Sequence, residues 1–112
     1  MNKFTQITKR RFIDDMVKSP VIFISGGFTI KTLENTDFEK SIIELCGNTD
    51  IGNSEHCRFR ERSNFMERIL PNGDVSRLDT YKANFYTYNN IYIVEKRGEN
   101  GDRNNYVIYL SV

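Results

Sequence analysis

The spacing of apolar residues changes along this chain, and each change marks an element. Between Thr8 and Ser19, Phe12, Ile13, Met16 and Val17 fall at i, i+1, i+4 and i+5, which puts them on one helical face. Thr8 suits the N-cap. Ser19-Pro20 ends the helix, because proline lacks an amide donor and pushes the residue before it out of the α region. Val21 to Ile24 is an unbroken apolar run bounded by Pro20 and Gly26-Gly27, and it predicts a strand buried on both faces. Gly26-Gly27 reads as a turn, with a second strand over Phe28 to Leu33. Thr36-Asp37-Phe38-Glu39 has the form of a capping box, in which the threonine serves the N3 amide and Glu39 reaches back to the cap. Phe38, Ile42, Leu45 and Cys46 share a face and Gly47 fits the C′ position, so a second helix over 37–46 follows.

Asn48 to Glu55 has the composition of a surface loop, the segment where mobility is expected. Beyond it the apolar period falls from 3.6 to 2. Phe59, Glu61, Ser63, Phe65, Glu67 and Ile69 alternate with Arg58, Arg60, Arg62, Asn64, Met66 and Arg68, which predicts one long strand. Pro71-Asn72-Gly73-Asp74 turns it into a partner over Val75 to Asp79. Tyr81 to Tyr88 and Ile91 to Lys96 are joined by Asn89-Asn90, a pair that tolerates the positive φ angles of a type I′ turn. Gly98 to Asp102 leads into a last strand over Tyr106 to Val112. The pattern predicts an α+β fold: two short helices packed on one face of a twisted antiparallel sheet of about five or six strands, closing in a C-terminal meander.

With 112 residues, cutting the chain would leave halves too small for their own cores, so residues 1–112 form a single domain. Apolar residues make up only 38%, and the core must lean on eight Phe and six Tyr. No stretch approaches the ~20 apolar residues that span a bilayer, and the basic stretch Met1 to Arg11 is followed by no apolar signal region. A cytoplasmic protein, neither secreted nor membrane-bound, is expected. Cys46 and Cys57 are too few for a disulfide framework and read as free thiols in a reducing compartment. A net charge of +1 leaves no global field, so electrostatic recognition must come from local patches.

The main such patch is an arginine row. In one continuous strand Arg58, Arg60, Arg62 and Arg68 project from the same face. If Leu70 pairs with Val75, Arg77 faces Arg68, a like-charge pair that an anion or a carboxylate would relieve. Planar guanidinium forks at this spacing suit phosphates or the carboxylates of an acidic protein. The plainer alternative is a solvated face whose arginine stems cover apolar surface while Glu61, Glu67 and Asp79 compensate the charge. Lys9-Arg10-Arg11 places positive charge in the first helical turn, against the macrodipole, which fits either a contact role or simple solvation. All six tyrosines lie between Tyr81 and Tyr109, interleaved with Lys82, Lys96 and Arg97. Tyr86, Tyr88 and Tyr92 would serve a protein interface, or stack the bases of a single strand, although no RNP-like motif accompanies them.

Catalytic constellations fail on spacing. His56 and Cys57 are strand neighbours that point to opposite faces, and Cys46, His56 and Cys57 lack the C-x2-C or H-x3-H elements of a zinc site. Asp14 and Asp15 are adjacent on the first helix, do not converge, and by default face solvent. Gly26-Gly27 is followed by no Lys-Ser or Lys-Thr and is no phosphate loop. The expectation is a protein without catalytic residues, metal or other cofactor. The stretch Thr8-Lys9-Arg10-Arg11-Phe12-Ile13-Asp14-Asp15-Met16-Val17-Lys18-Ser19, with the Asn-rich C-terminal third, resembles the short Asn-, Lys- and Ile-rich proteins of phages and mobile elements of low-GC bacteria. The resemblance carries over no functional residue. It implies an inhibitor of host defence, of the kind that includes anti-CRISPR proteins acting as plugs on a nuclease. The sequence thus points to a protein-binding module whose partner is another protein with an acidic or nucleic-acid-binding surface. The alternative is a small single-stranded nucleic-acid-binding protein.

Overall fold

The computed structural model describes residues 3–30, 36–98 and 104–112, with backbone alone for residues 25–30 and 36. The elements are β1 (Thr5–Ile7), α1 (Lys9–Lys18), β2 (Val21–Ile30), α2 (Thr36–Gly47), β3 (His56–Glu61), β4 (Phe65–Ile69), β5 (Val75–Asp79), β6 (Ala83–Tyr88), β7 (Ile91–Lys96) and β8 (Asn104–Ser111). All pairings are antiparallel, in the order β1-β6-β7-β8-β2-β3-β4-β5. The fold is α+β as expected, with eight strands where five or six were read.

Helix α1 begins as its sequence dictates, with the Thr8 hydroxyl accepting from the Arg11 amide at 3.1 Å, and it buries Phe12, Ile13 and Met16. The turn expected at Gly26-Gly27 is absent. β2 runs through both glycines and pairs with β8 from Val21↔Ser111 to Ile30↔Asn104, with register shifts between Phe23 and Ser25 and between Gly26 and Phe28. Glycine tolerates such irregular pairing, and the long partner strand keeps the ladder going. Residues 31–33 of the strand expected there, and most of the turn over 98–102, lie outside the described residues. Helix α2 forms one residue longer at each end than read. Its Glu39 has a use the capping-box reading did not foresee: the buried carboxylate accepts the Lys3 amide at 3.2 Å and the Phe4 amide at 3.5 Å, and so ties the segment before β1 to the helix.

The two helices lie on opposite faces of the sheet and not on one. Phe12, Ile13 and Met16 of α1 pack with Val21, Tyr92, Val94 and Tyr109, whereas Ile42 and Cys46 of α2 pack with Ile22, Ile91, Ile93, Ile108 and Leu110. The reason is visible in β7, where Ile91, Tyr92, Ile93 and Val94 are all buried. Residues that alternate between two faces yet are all apolar require a cover on each side.

The core also holds charge. Glu95 is buried on the α2 side, where Oε1 accepts from Asn84 Nδ2 (3.0 Å) and Tyr86 Oη (3.3 Å), and Oε2 from Tyr106 Oη (2.6 Å) and Asn104 Nδ2 (3.4 Å). Four donors fill the acceptor capacity of one carboxylate, which is what allows it to stay inside without a cation. On the other face the Tyr92 hydroxyl donates to Asp15 at 2.7 Å. Asp15, expected to face solvent, is instead largely covered, and it also pairs with Arg11 and Lys18.

The stretch read as one strand from Arg58 to Ile69 is a tight hairpin. The Arg62 amide donates to the Phe65 carbonyl at 2.9 Å, so Ser63-Asn64 is a two-residue loop between β3 and β4. A second reversal at Pro71-Asn72-Gly73, with Gly73 at φ 92°, leads into β5. This β3–β4–β5 meander curls over the α1 side and contributes Cys57, Phe59, Met66 and Leu78 to the same core as Phe12 and Val94. It joins the main sheet through two residue pairs only, Val21↔Cys57 and Ile22↔His56. A second tie comes from Arg10, whose Nη1 and Nη2 each donate to Glu61 at 2.8 Å while Nε reaches Asp14 at 3.1 Å. The basic first turn of α1 thus serves packing between α1 and β3.

Candidate binding surface on the outer face of the meander

Cross-strand partners point to the same side of a sheet, so the register defines the face. Arg58 lies opposite Ile69, Arg60 opposite Glu67, Glu67 opposite Arg77, Ile69 opposite Val75, and Phe65 opposite Asp79. With Arg62 at the hairpin end, these residues make an outer face in which Arg58, Arg60, Arg62, Val75 and Arg77 are exposed and Phe65, Glu67, Ile69 and Asp79 half-buried. The structure therefore keeps Arg58, Arg60, Arg62 and Arg77 together.

Arg68 does not belong to this face. It pairs with Phe59, which is buried, so it points inward; its Nε donates to Ser76 Oγ at 3.0 Å and its guanidinium stacks 4.8 Å from the centre of the Phe23 ring. The cause is parity. In the β3–β4 hairpin residue 58 pairs with 69 and 59 with 68, so even-numbered residues that face outward on β3 face inward on β4. The like-charge pair of Arg68 and Arg77 is also absent, because β5 sits one residue away from the expected register. Arg77 faces Glu67, and Arg68 faces Ser76.

The face carries four guanidinium groups and two carboxylates. Glu67 Oε1 accepts from Arg60 at 3.0 Å and from Arg62 at 2.5 Å, and Asp79 takes Arg77 at 2.6 Å and Lys96 at 3.6 Å. These contacts hold both carboxyls below their ordinary range, Glu67 chiefly through Arg62 and Asp79 chiefly through Arg77. Arg58 has no ion-pair partner among the described residues. The Arg77 guanidinium lies 4.0 Å from the centre of the Phe65 ring, which fixes it flat against the sheet. The arginine ends of these pairs stand in solvent, where an ion pair contributes little to stability, so a partner's carboxylate can draw them from an internal one at small cost.

The tyrosines expected beside the arginines lie elsewhere. Tyr86 and Tyr88 are half-buried on the α2 side of β6, Tyr88 edge-on to Phe4 at 5.7 Å, and Tyr92 is 8% exposed with its hydroxyl on Asp15. In a sheet covered on both sides a tyrosine ring packs and its hydroxyl must find an internal acceptor. The tyrosine that does face solvent is Tyr81, 68% exposed at the turn between β5 and β6. Its position just past the end of a strand, next to Lys82, was the sequence signal for it.

His56 and the cysteines do not converge. His56 Nε2 lies 2.8 Å from the Ile51 carbonyl, and Cys57 Sγ donates to the Val21 carbonyl at 3.2 Å inside the α1-side core. Cys46 belongs to the α2-side core, where burial pushes its thiol up to about 11. Among the described residues no group of three His, Cys, Asp or Glu side chains is placed to hold a metal ion, and no helix is long and apolar enough to cross a membrane. No family model matches the sequence, and neither the curated proteins nor the solved structures contain a match to it.

Proposed function

We propose that the protein is a non-catalytic binding module that docks the outer face of the β3–β4–β5 meander against an acidic surface of another protein. In keeping with its resemblance to phage and mobile-element proteins, it would act as a steric inhibitor of a host defence protein. One observation carries the reading: Arg58 has no ion-pair partner among the described residues, and Arg60, Arg62 and Arg77 share two half-buried carboxylates, on a sheet face interspersed with Phe65, Ile69 and Val75. Arginine and aromatic anchors in an apolar setting are the usual carriers of interface energy. Charge-assisted bonds from Arg58, Arg60 and Arg62 to a partner's carboxylates would orient the complex and speed encounter, so association should slow as salt rises.

The test is the triple substitution Arg58→Glu, Arg60→Glu and Arg62→Glu. All three side chains are exposed, so the circular dichroism spectrum should stay close to wild type, while the melting temperature falls modestly because Glu67 loses Arg60 and Arg62 and meets new carboxylates. A protein captured from host extract by the wild-type chain should be lost by the triple variant, and retention with unchanged affinity would reject the face.

A further inference from the structure

Tyr81 opens onto a groove of about 640 Å3 that lies between the β5–β6 turn and the end of β7, lined by Lys82, Lys96 and Arg97 as well as by Tyr81 itself. It continues past Lys96 and Tyr81 toward Arg77 and Asp79. Among the described residues no carboxylate lines its main chamber. Lys82 and Arg97 have no ion-pair partner among the described residues, and the Asp79 carboxylate that Lys96 approaches at 3.6 Å is already bonded to Arg77. Three cations therefore line a space to which the described residues bring little negative charge. Lys82 takes a left-handed conformation, φ 52°, that is uncommon for a side chain of its kind, and its ammonium stands 5.4 Å from the centre of the Tyr81 ring. The ring itself is the most open large aromatic surface of the described residues.

We infer that this groove is a nucleotide site, in which the Tyr81 ring stacks a base while Lys82, Lys96 and Arg97 hold phosphate. Cations alone would suit any anion. An exposed ring set among them selects an anion that carries a flat, π-faced group, because base-on-aromatic stacking needs no particular hydrogen-bond pattern. Phosphate oxygens match the ammonium and guanidinium donors. The nucleotide can be free or part of a single strand, since the groove is open toward Arg77 at one end. The site borders the docking face at Arg77 and Asp79 but includes none of Arg58, Arg60 and Arg62, so it goes beyond the protein-docking role, and Tyr81 and Arg97 test it apart from that role.

The full chain is titrated at low salt with ATP, with inorganic triphosphate and with a short oligothymidylate, following tyrosine fluorescence and heat. ATP and the oligonucleotide should bind saturably, and ATP more tightly than triphosphate. Tyr81→Ala should weaken ATP by about tenfold while leaving triphosphate unchanged, and Tyr81→Phe, which keeps the ring, should retain wild-type binding. Arg97→Glu should weaken all three ligands. An oligonucleotide that binds more tightly than ATP, with a steeper loss on adding salt, identifies a single strand as the source, and equal affinity identifies the free nucleotide. Absence of saturable binding, equal affinity for ATP and triphosphate, or wild-type ATP affinity in Tyr81→Ala would each overturn the assignment.

Discussion

Strand β7 and the β3–β4–β5 meander share one sheet, yet they treat polar residues in opposite ways. Around β7 both faces are covered, and the buried Glu95 and Tyr92 find internal partners: Glu95 collects four donors, and Tyr92 reaches Asp15. The meander is covered on one face only. Cys57, Phe59, Met66 and Leu78 point inward and are buried, while the outward residues form a charged lattice in contact with water. Tyrosine in this protein is thus mostly architecture, and arginine is mostly surface.

The contrast makes predictions that descend in size. Ile93→Ala removes a side chain with no solvent exposure from the doubly covered strand and should cost about 3–4 kcal/mol in urea unfolding. Glu95→Ala leaves the Tyr106 hydroxyl and two amides without their acceptor and should cost roughly 2–3 kcal/mol, whereas a loss well below that would show that water replaces the carboxylate. The meander responds to acid. Glu61, Glu67 and Asp79 have folded values lowered by Arg10, Arg62 and Arg77 respectively, so their contribution is complete above the ordinary carboxylate range and is lost as pH falls below the ordinary values, 4.5 for the glutamates and 3.8 for Asp79, and through the lowered ones. Protection factors, which remove the intrinsic pH dependence of amide exchange, should therefore fall in β3 to β5 between pH 6 and pH 3 while those of β7 hold. Smallest of all, Val75→Thr on the open face should change stability by less than about 0.5 kcal/mol, measured by the same urea unfolding.

Much of the architecture was legible in the residues because period and punctuation agreed. Thr8 and Ser19-Pro20 bracket α1, and Asn89, at φ 52°, turns β6 into β7. What escaped the reading has physical causes. Ser63-Asn64 is a weak turn signal inside an uninterrupted alternation, and a two-residue loop there inverts the parity of everything after it, which moved Arg68 to the inner side. The opposed helices were written in the all-apolar run of Ile91 to Val94, which a count of alternating faces does not capture. β1 is three residues long and forms only because Thr5 to Ile7 find β6 far along the chain. Of the candidate surface, Arg58, Arg60 and Arg62 were legible from spacing, whereas Arg68 lies on the other side and Arg77 reaches the face in a different register from the one read. The tyrosines were not, because a tyrosine suits a covered face and an open one alike, and which it meets depends on what packs above the strand.

The order of strands also sets an order in time. β3, β4 and β5 are neighbours both along the chain and in space, so they can pair as soon as they leave the ribosome, whereas Val21 finds its β8 partner at Ser111 and Thr5 finds its β6 partner at Thr87. Contacts so distant close slowly. A nascent chain must therefore carry the apolar run Val21 to Ile24 without its β8 ladder until residue 111 has been made, and that interval is when a holdase chaperone would matter most to its yield.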